Sequence, residues 1–118
     1  PSRFEPCGLS QLYAFRYGAI PVVRATGGLV DTVVDATPEA VAAGTASGFV
    51  FTDFDSRGLE HAFNRALTAH ADAAVWQRLV TSVMQQDWSW DTSARKYLEL
   101  YEQVLARPVA VRTPQDSP

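Results

Sequence analysis

"GAIPVVRATGGLVDTVV", residues 18–34, decides the fold. Ala19–Val23 is a short apolar run of strand type, Thr26-Gly27-Gly28 follows at once, and Leu29–Val34 has the spacing of a short helix. A strand that turns through two glycines into a helix is half of a βαβ unit. Upstream, Gly8–Tyr17 sets Leu9, Leu12, Tyr13 and Arg16 at helical spacing, with Gly18 as the stop. Downstream, a loop through Pro38 and Gly44 leads to a second apolar run, "GFVF" at 48–51.

Three amphipathic patterns follow. Leu59, Ala62, Phe63, Ala66 and Leu67 form the first stripe; Val75, Trp76, Leu79, Val80, Val83 and Met84 the second. Ala94, Tyr97, Leu98, Tyr101, Val104 and Leu105 form the third. Asp55 or Ser56, Asp72, and Ser89 or Asp91 fit as N-caps. From Pro108 onward the chain has three prolines and no periodicity, so residues 108–118 are predicted to be a disordered tail.

This order predicts the α/β class, with a parallel sheet and helices packed on it. Both strands are apolar throughout, as in a sheet covered on both faces. Two strands of this length do not make a stable sheet alone. The chain therefore reads as the back end of a larger α/β domain, with a strand expected before Pro1.

The 118 residues allow one domain, and an apolar fraction of 47% with 19% charged residues is that of an ordinary globular protein. A net charge of -3 and a pI near 5.2 offer no basic surface to nucleic acid or to an anionic membrane. No apolar run approaches the roughly 20 residues of a membrane span, and no signal-peptide pattern is present. The single Cys7 excludes an internal disulfide, and one cysteine with two distant histidines argues against a metal site. A cytoplasmic protein without cofactor or metal is expected.

Ligands of a doubly wound sheet sit beyond the carboxyl ends of its strands, where loops enter helices. "SRFEPCG" (2–8) and "RATGG" (24–28) have that address. Thr26, Gly27 and Gly28 suit a phosphate, because glycine admits a ligand close to the backbone and amides at a helix start point outward. The same pattern also fits a tight turn. The Glu5 carboxylate is an acceptor suited to sugar or ribose hydroxyls, although local chemistry alone favours a helix-capping residue that interacts with the dipole. Cys7 fits a small buried hydrophobe as well as a site residue. Arg3, Arg16 and Arg24 fit solvated charges, with Arg24 the one cation beside the glycine turn. His61 and His70 read as structural or exposed, and Trp76, Trp88 and Trp90 as core anchors.

Taken together, "PSRFEPCGLSQLYAFRYGAIPVVRATGGLVDTVVD" (1–35) closely resembles the donor-binding segment of bacterial glycogen synthases and plant starch synthases. These are retaining glucosyltransferases of the two-domain glycosyltransferase B fold. "ASGFVF" (46–51) and "DWSWDTSARKYLELYEQVL" (87–105) resemble later segments of the same family, so the likeness runs from residue 1 to about 105. The resemblance implies that residues 1–107 are the incomplete C-terminal portion of a Rossmann-like nucleotide-sugar-binding domain that ends in three helices. It implies glucose transfer from ADP-glucose to the non-reducing end of an α-1,4-glucan, with retention.

By position, Glu5 corresponds to the catalytic-motif glutamate facing the donor glucose. Cys7, Gly8 and Leu9 correspond to residues against the same sugar, and Thr26, Gly27 and Gly28 to the loop near the distal phosphate. The family's main Arg and Lys phosphate ligands lie upstream, and its acceptor machinery lies in an N-terminal domain. The chain alone is therefore expected to be inactive. Many members of the wider superfamily carry a second glutamate eight positions after the first, where this chain has Tyr13. Ser10 stands where the family commonly has threonine. A non-catalytic nucleotide-sugar-binding remnant and a UDP-sugar-dependent transferase are the alternative readings.

Overall fold

A computed structural model describes residues 2–107. The first compact unit ends at Gln86, and a second begins at Asp87. In chain order the first holds α1 (Ser10–Arg16), β1 (Val22–Arg24), α2 (Leu29–Thr32), α3 (Pro38–Ala42), β2 (Phe49–Phe51), α4 (Ser56–Ala71) and α5 (Ala73–Gln85). The second holds α6 (Trp90–Leu105).

The two strands pair in parallel, Val22 with Phe49, Val23 with Val50 and Arg24 with Phe51. Their side chains alternate across the sheet. Phe49 and Phe51 enter a core with Ala46, Ala62, Ala66 and Leu79, on the side of α4 and α5. Val23 and Val50 pack on the other side against Phe15, Leu29, Val33 and Val83. The expectation of a sheet covered on both faces is met by this split core. Along the outer edge of β2, Asp35 bridges Gly48, the Ala36 amide donates to the Gly48 carbonyl, and the Val50 amide donates to the Asp35 carboxylate. Asp35 thus fills a ladder position that would otherwise stay open.

Helix boundaries follow local chemistry. Asp55, Asp72 and Ser89 are the N-caps of α4, α5 and α6, each accepting from a backbone amide of the first turn. Asp72 also closes α4, so the two helices share one residue. Helix α1 stops at Gly18, whose φ of +71° suits glycine, and the Gly18 and Ala19 amides return to the Phe15 and Ala14 carbonyls. A Cβ at Gly18 would also lie 3.1 Å from Met84 Sδ on α5, so the glycine permits close packing there.

The structure departs from the sequence pattern in several places, beginning with β1, which runs over Val22–Arg24 rather than 19–23. The loop expected through Pro38 contains α3, capped by Thr37 with Pro38 in its first turn. In α1 the inward residues are Gln11 and Phe15, while Leu9 and Tyr13 of the expected stripe are exposed. Phe63 and Leu67 on α4 are half exposed, leaving Ala62 and Ala66 as its buried positions. Trp88 and Trp90, expected as core anchors, are exposed, whereas Trp76 packs against the core and meets His70 edge-on at 4.8 Å. No residue of α6 is buried. The predicted tail, 108–118, lies outside the described residues. Among the described residues no helix is long and apolar enough to cross a membrane.

Candidate functional site

Parallel pairing of β1 and β2 brings the chain that leaves Arg24 beside the chain that leaves Phe51. The 2–8 segment packs across the glycine turn there. The Gly28 amide donates to the Glu5 carbonyl at 2.9 Å. A Cβ on Gly27, whose φ is +51°, would stand 1.9 Å from that carbonyl oxygen, and one on Gly28 would stand 2.5 Å from the Cys7 carbonyl oxygen. The two candidate loops are therefore one packed unit. Glycine is required at 27 and 28 by the approach of the Glu5–Cys7 backbone, whatever else the loop does.

The Glu5 carboxylate accepts a hydrogen bond from Ser2 Oγ at 3.2 Å and is half-buried. With Ser10, Gln11 and Arg24 it lines a hollow of about 300 Å3. The capping alternative has no counterpart in the geometry, since the residue preceding α1 is Leu9 and no side chain caps that helix. Cys7 is a free, exposed thiol and not the small buried hydrophobe a lone cysteine often is, and Leu9 beside it is exposed. Gly8 is buried, with φ +66°.

Gln11 joins the two loops from beneath. Only 2% exposed, it donates through Nε2 to the Gly8 carbonyl at 2.7 Å and contacts Thr32 Oγ1 at 3.0 Å. Thr32 in turn donates to the Gly28 carbonyl at 3.0 Å. Sequence reasoning misses Gln11, because a polar residue among apolar ones reads as facing solvent. The signal is its spacing of four from Phe15, which puts both on one helical face.

Arg24 is no free cation. Its Nε donates to the Thr52 carbonyl at 3.2 Å, its Nη1 to the Arg3 carbonyl at 2.8 Å, and its guanidinium lies 5.0 Å from the Phe54 ring centroid. Arg3 approaches the same ring at 5.6 Å. Thr26 Oγ1 also points to the Arg3 carbonyl, at a long 3.5 Å. His61 and His70 sit on α4 and both are exposed, His70 with its ring edge-on to Trp76.

No protein-family model matches the chain. Curated relatives are close. A glycogen synthase of Mesorhizobium japonicum is 51% identical over 110 residues, covering 93% of this chain and 23% of that protein. Glycogen synthase 2 of Nitrosococcus oceani is 50% identical over 107 residues, covering 91% and 22%. Among solved structures, the catalytic domain of starch synthase IV from Arabidopsis thaliana, bound to ADP and acarbose, superposes with a TM-score of 0.76 at 44% identity. That superposition covers 91% of this chain and 22% of the other. The chain thus spans between a fifth and a quarter of the length of the relatives it matches. Identity near one half across nearly all of the chain, with the parallel α/β fold held in common, makes this segment a member of the bacterial glycogen synthase and plant starch synthase family.

Proposed function

We propose that residues 1–107 are the C-terminal portion of the nucleotide-sugar-binding domain of a cytoplasmic glycogen synthase. The whole enzyme transfers glucose from ADP-glucose to the non-reducing end of an α-1,4-glucan, with retention at the anomeric carbon. The observation that carries this reading is the joining of the Glu5–Leu9 and Thr26–Gly28 segments, at the strand ends where a doubly wound sheet binds ligands. The ADP named for the starch synthase relative supports the choice of donor.

Glu5 faces the donor glucose hydroxyls, and Cys7, Gly8 and Leu9 lie against the same sugar. Thr26, Gly27 and Gly28 border the distal phosphate. In such a transfer ADP departs as positive charge grows at the anomeric carbon and negative charge at the leaving phosphate oxygen. Groups fixed beforehand where charge develops make the largest contribution to rate. A carboxylate among sugar hydroxyls serves the first centre. The second needs cations that an upstream part of the domain supplies, and the acceptor needs an N-terminal domain. Residues 1–118 alone are therefore expected to turn over no donor.

The test is glucose incorporation into glycogen by the full-length synthase carrying this segment, with ADP-glucose and with UDP-glucose in parallel. Incorporation from ADP-glucose is expected. Incorporation from UDP-glucose alone overturns the donor assignment, and incorporation from neither overturns the enzymatic reading.

A further inference from the structure

We infer that Arg24 is a positioning residue for Glu5, a role that rests on the reading of Glu5 as a donor-sugar residue. Two of the three guanidinium nitrogens are engaged with backbone carbonyls, of Arg3 and Thr52, and the planar group lies on Phe54. A guanidinium held this way has its fork turned toward protein, unlike one that grips a phosphate bidentately. What it grips instead is the segment that presents Glu5. Three carbonyls of that segment are pinned from outside: Arg3 by Arg24, Glu5 by the Gly28 amide, and Gly8 by Gln11. Gly28 and Gln11 hold it from the glycine turn onward. Arg24 ties its front end to the exit of β2, through Thr52. Because the guanidinium is rigid and planar, one side chain fixes the spacing between two chain segments, which a lysine ammonium does not do.

The front of the frame that holds Glu5 rests chiefly on Arg24, beside the long Thr26 Oγ1 contact to the same Arg3 carbonyl. Loss of the span lets the front of the loop drift, and a drift near 1 Å at a reacting centre lowers turnover by up to about 100-fold.

The test is a double-mutant cycle in the full-length synthase, with ADP-glucose and glycogen. Arg24→Ala is expected to lower kcat by about 10- to 100-fold in the wild-type background, and by less than about 3-fold in the Glu5→Gln background. The ADP dissociation constant is expected to change by less than about 3-fold, since Arg24 does not hold the phosphate. Arg24→Lys keeps the charge without the span, and is expected to behave like Arg24→Ala even where the alanine variant folds poorly. Losses that multiply between Arg24 and Glu5, a weakened ADP affinity, or full activity in Arg24→Lys each overturn the positioning role. A wild-type kcat in Glu5→Gln overturns the reading of Glu5 itself and takes this inference with it. A lowered kcat in Glu5→Gln beside an unaffected Arg24→Ala removes only the inference.

Discussion

Arg65 reaches across 30 residues of sequence to place Nη2 at 3.0 and 3.1 Å from the two carboxylate oxygens of Asp35. The same nitrogen donates to the Ala36 carbonyl at 3.0 Å, and the guanidinium lies 5.6 Å from the Phe49 ring centroid. Asp35 Oδ1 also accepts from the Val50 amide at 2.8 Å. One carboxylate thus fastens α4 to the outer edge of β2. Both side chains are about 30% exposed, so the ion pair is screened and the amide bond carries more of the effect. Asp35→Ala leaves a half-buried N–H and a guanidinium without their acceptor, and is expected to destabilise by about 2 kcal/mol. Asp35→Asn keeps an acceptor for Val50 and should lose about half as much. Urea denaturation checks both, and equal stability of Asp35→Ala and wild type refutes the fastening role.

Glu5→Gln separates a sugar contact from a structural one. If the carboxylate meets donor hydroxyls in the transition state, a charged hydrogen bond worth roughly 1.5–3 kcal/mol is lost and kcat falls about 10- to 100-fold. The melting temperature should hardly move, because the carboxylate's observed partner is the Ser2 hydroxyl and not a helix amide. Steady-state kinetics beside a thermal melt decide it. A lowered melting temperature with unchanged kcat removes Glu5 from the sugar site.

Three glycines allow strain and crowding to be told apart. Gly44 has φ +70° with nothing within 4 Å of the place an added Cβ would take, so Gly44→Ala tests left-handed backbone alone, at about 1–2 kcal/mol. Gly28 has an ordinary φ of −65°, and its crowding comes wholly from the Cys7 backbone. Gly28→Ala is expected to lower turnover through displaced loops while Gly44→Ala leaves turnover unchanged. Gly27 combines both burdens. A substitution there cannot spare the fold, so Gly28→Ala is the cleaner probe. Equal kcat in Gly28→Ala and wild type contradicts the coupling of the two loops.

Asp87 supplies a pH prediction for the start of the second unit. Its carboxylate accepts from Thr92 Oγ1 at 2.6 Å and from the Ser89 amide at 2.9 Å, and these bonds hold its pKa at about 2. A carboxyl depressed by folding contributes stability above its unfolded pKa, near 3.9, and loses it as pH falls toward 2. The first turn of α6 should therefore fray between about pH 4 and pH 2. Carboxyl-carbon NMR titration should find Asp87 near pH 2, and Thr92→Val should raise that midpoint. A midpoint at the ordinary aspartate value in both proteins contradicts the arrangement.

Much of this is legible in the sequence because it is local. Asp55, Asp72 and Ser89 announce helix starts through bonds made within three residues, and the apolar runs at 19–23 and 48–51 announce the strands, although β1 itself ends on Arg24. Thr37-Pro38 carries a helix-start signal too, but proline has a second meaning, a break, and nothing beside it chooses between them. What stays hidden depends on register. Arg24 meets Thr52 and Arg3 only because β1 and β2 run parallel with Arg24 opposite Phe51, and nothing near Arg24 in sequence encodes those partners. Gln11 is hidden for a different reason. Its amide is buried against the Gly8 carbonyl of the first loop and the Thr32 hydroxyl of α2, a pairing that hydropathy cannot register. The closeness of the E-P-C and T-G-G segments is foreseeable from strand order. That the glycines are crowded by protein is not.

Asp72 carries a last consequence. It ends α4 and caps α5 through bonds from the Ala74 and Val75 amides at 3.0 and 3.1 Å, and its neighbours Ala71, Ala73 and Ala74 are the strongest helix formers. No glycine or proline stands at the corner. Backbone preference alone therefore does not set the bend, and the Asp72 cap contributes about 1 kcal/mol toward it. An uninterrupted helix from Ser56 to Gln85 would be a rod of about 45 Å. In that rod Leu79 and Val83 would be carried away from the sheet they now cover. Burial of those two side chains outweighs the cap, so packing selects the hairpin and Asp72 fixes the residue at which it turns.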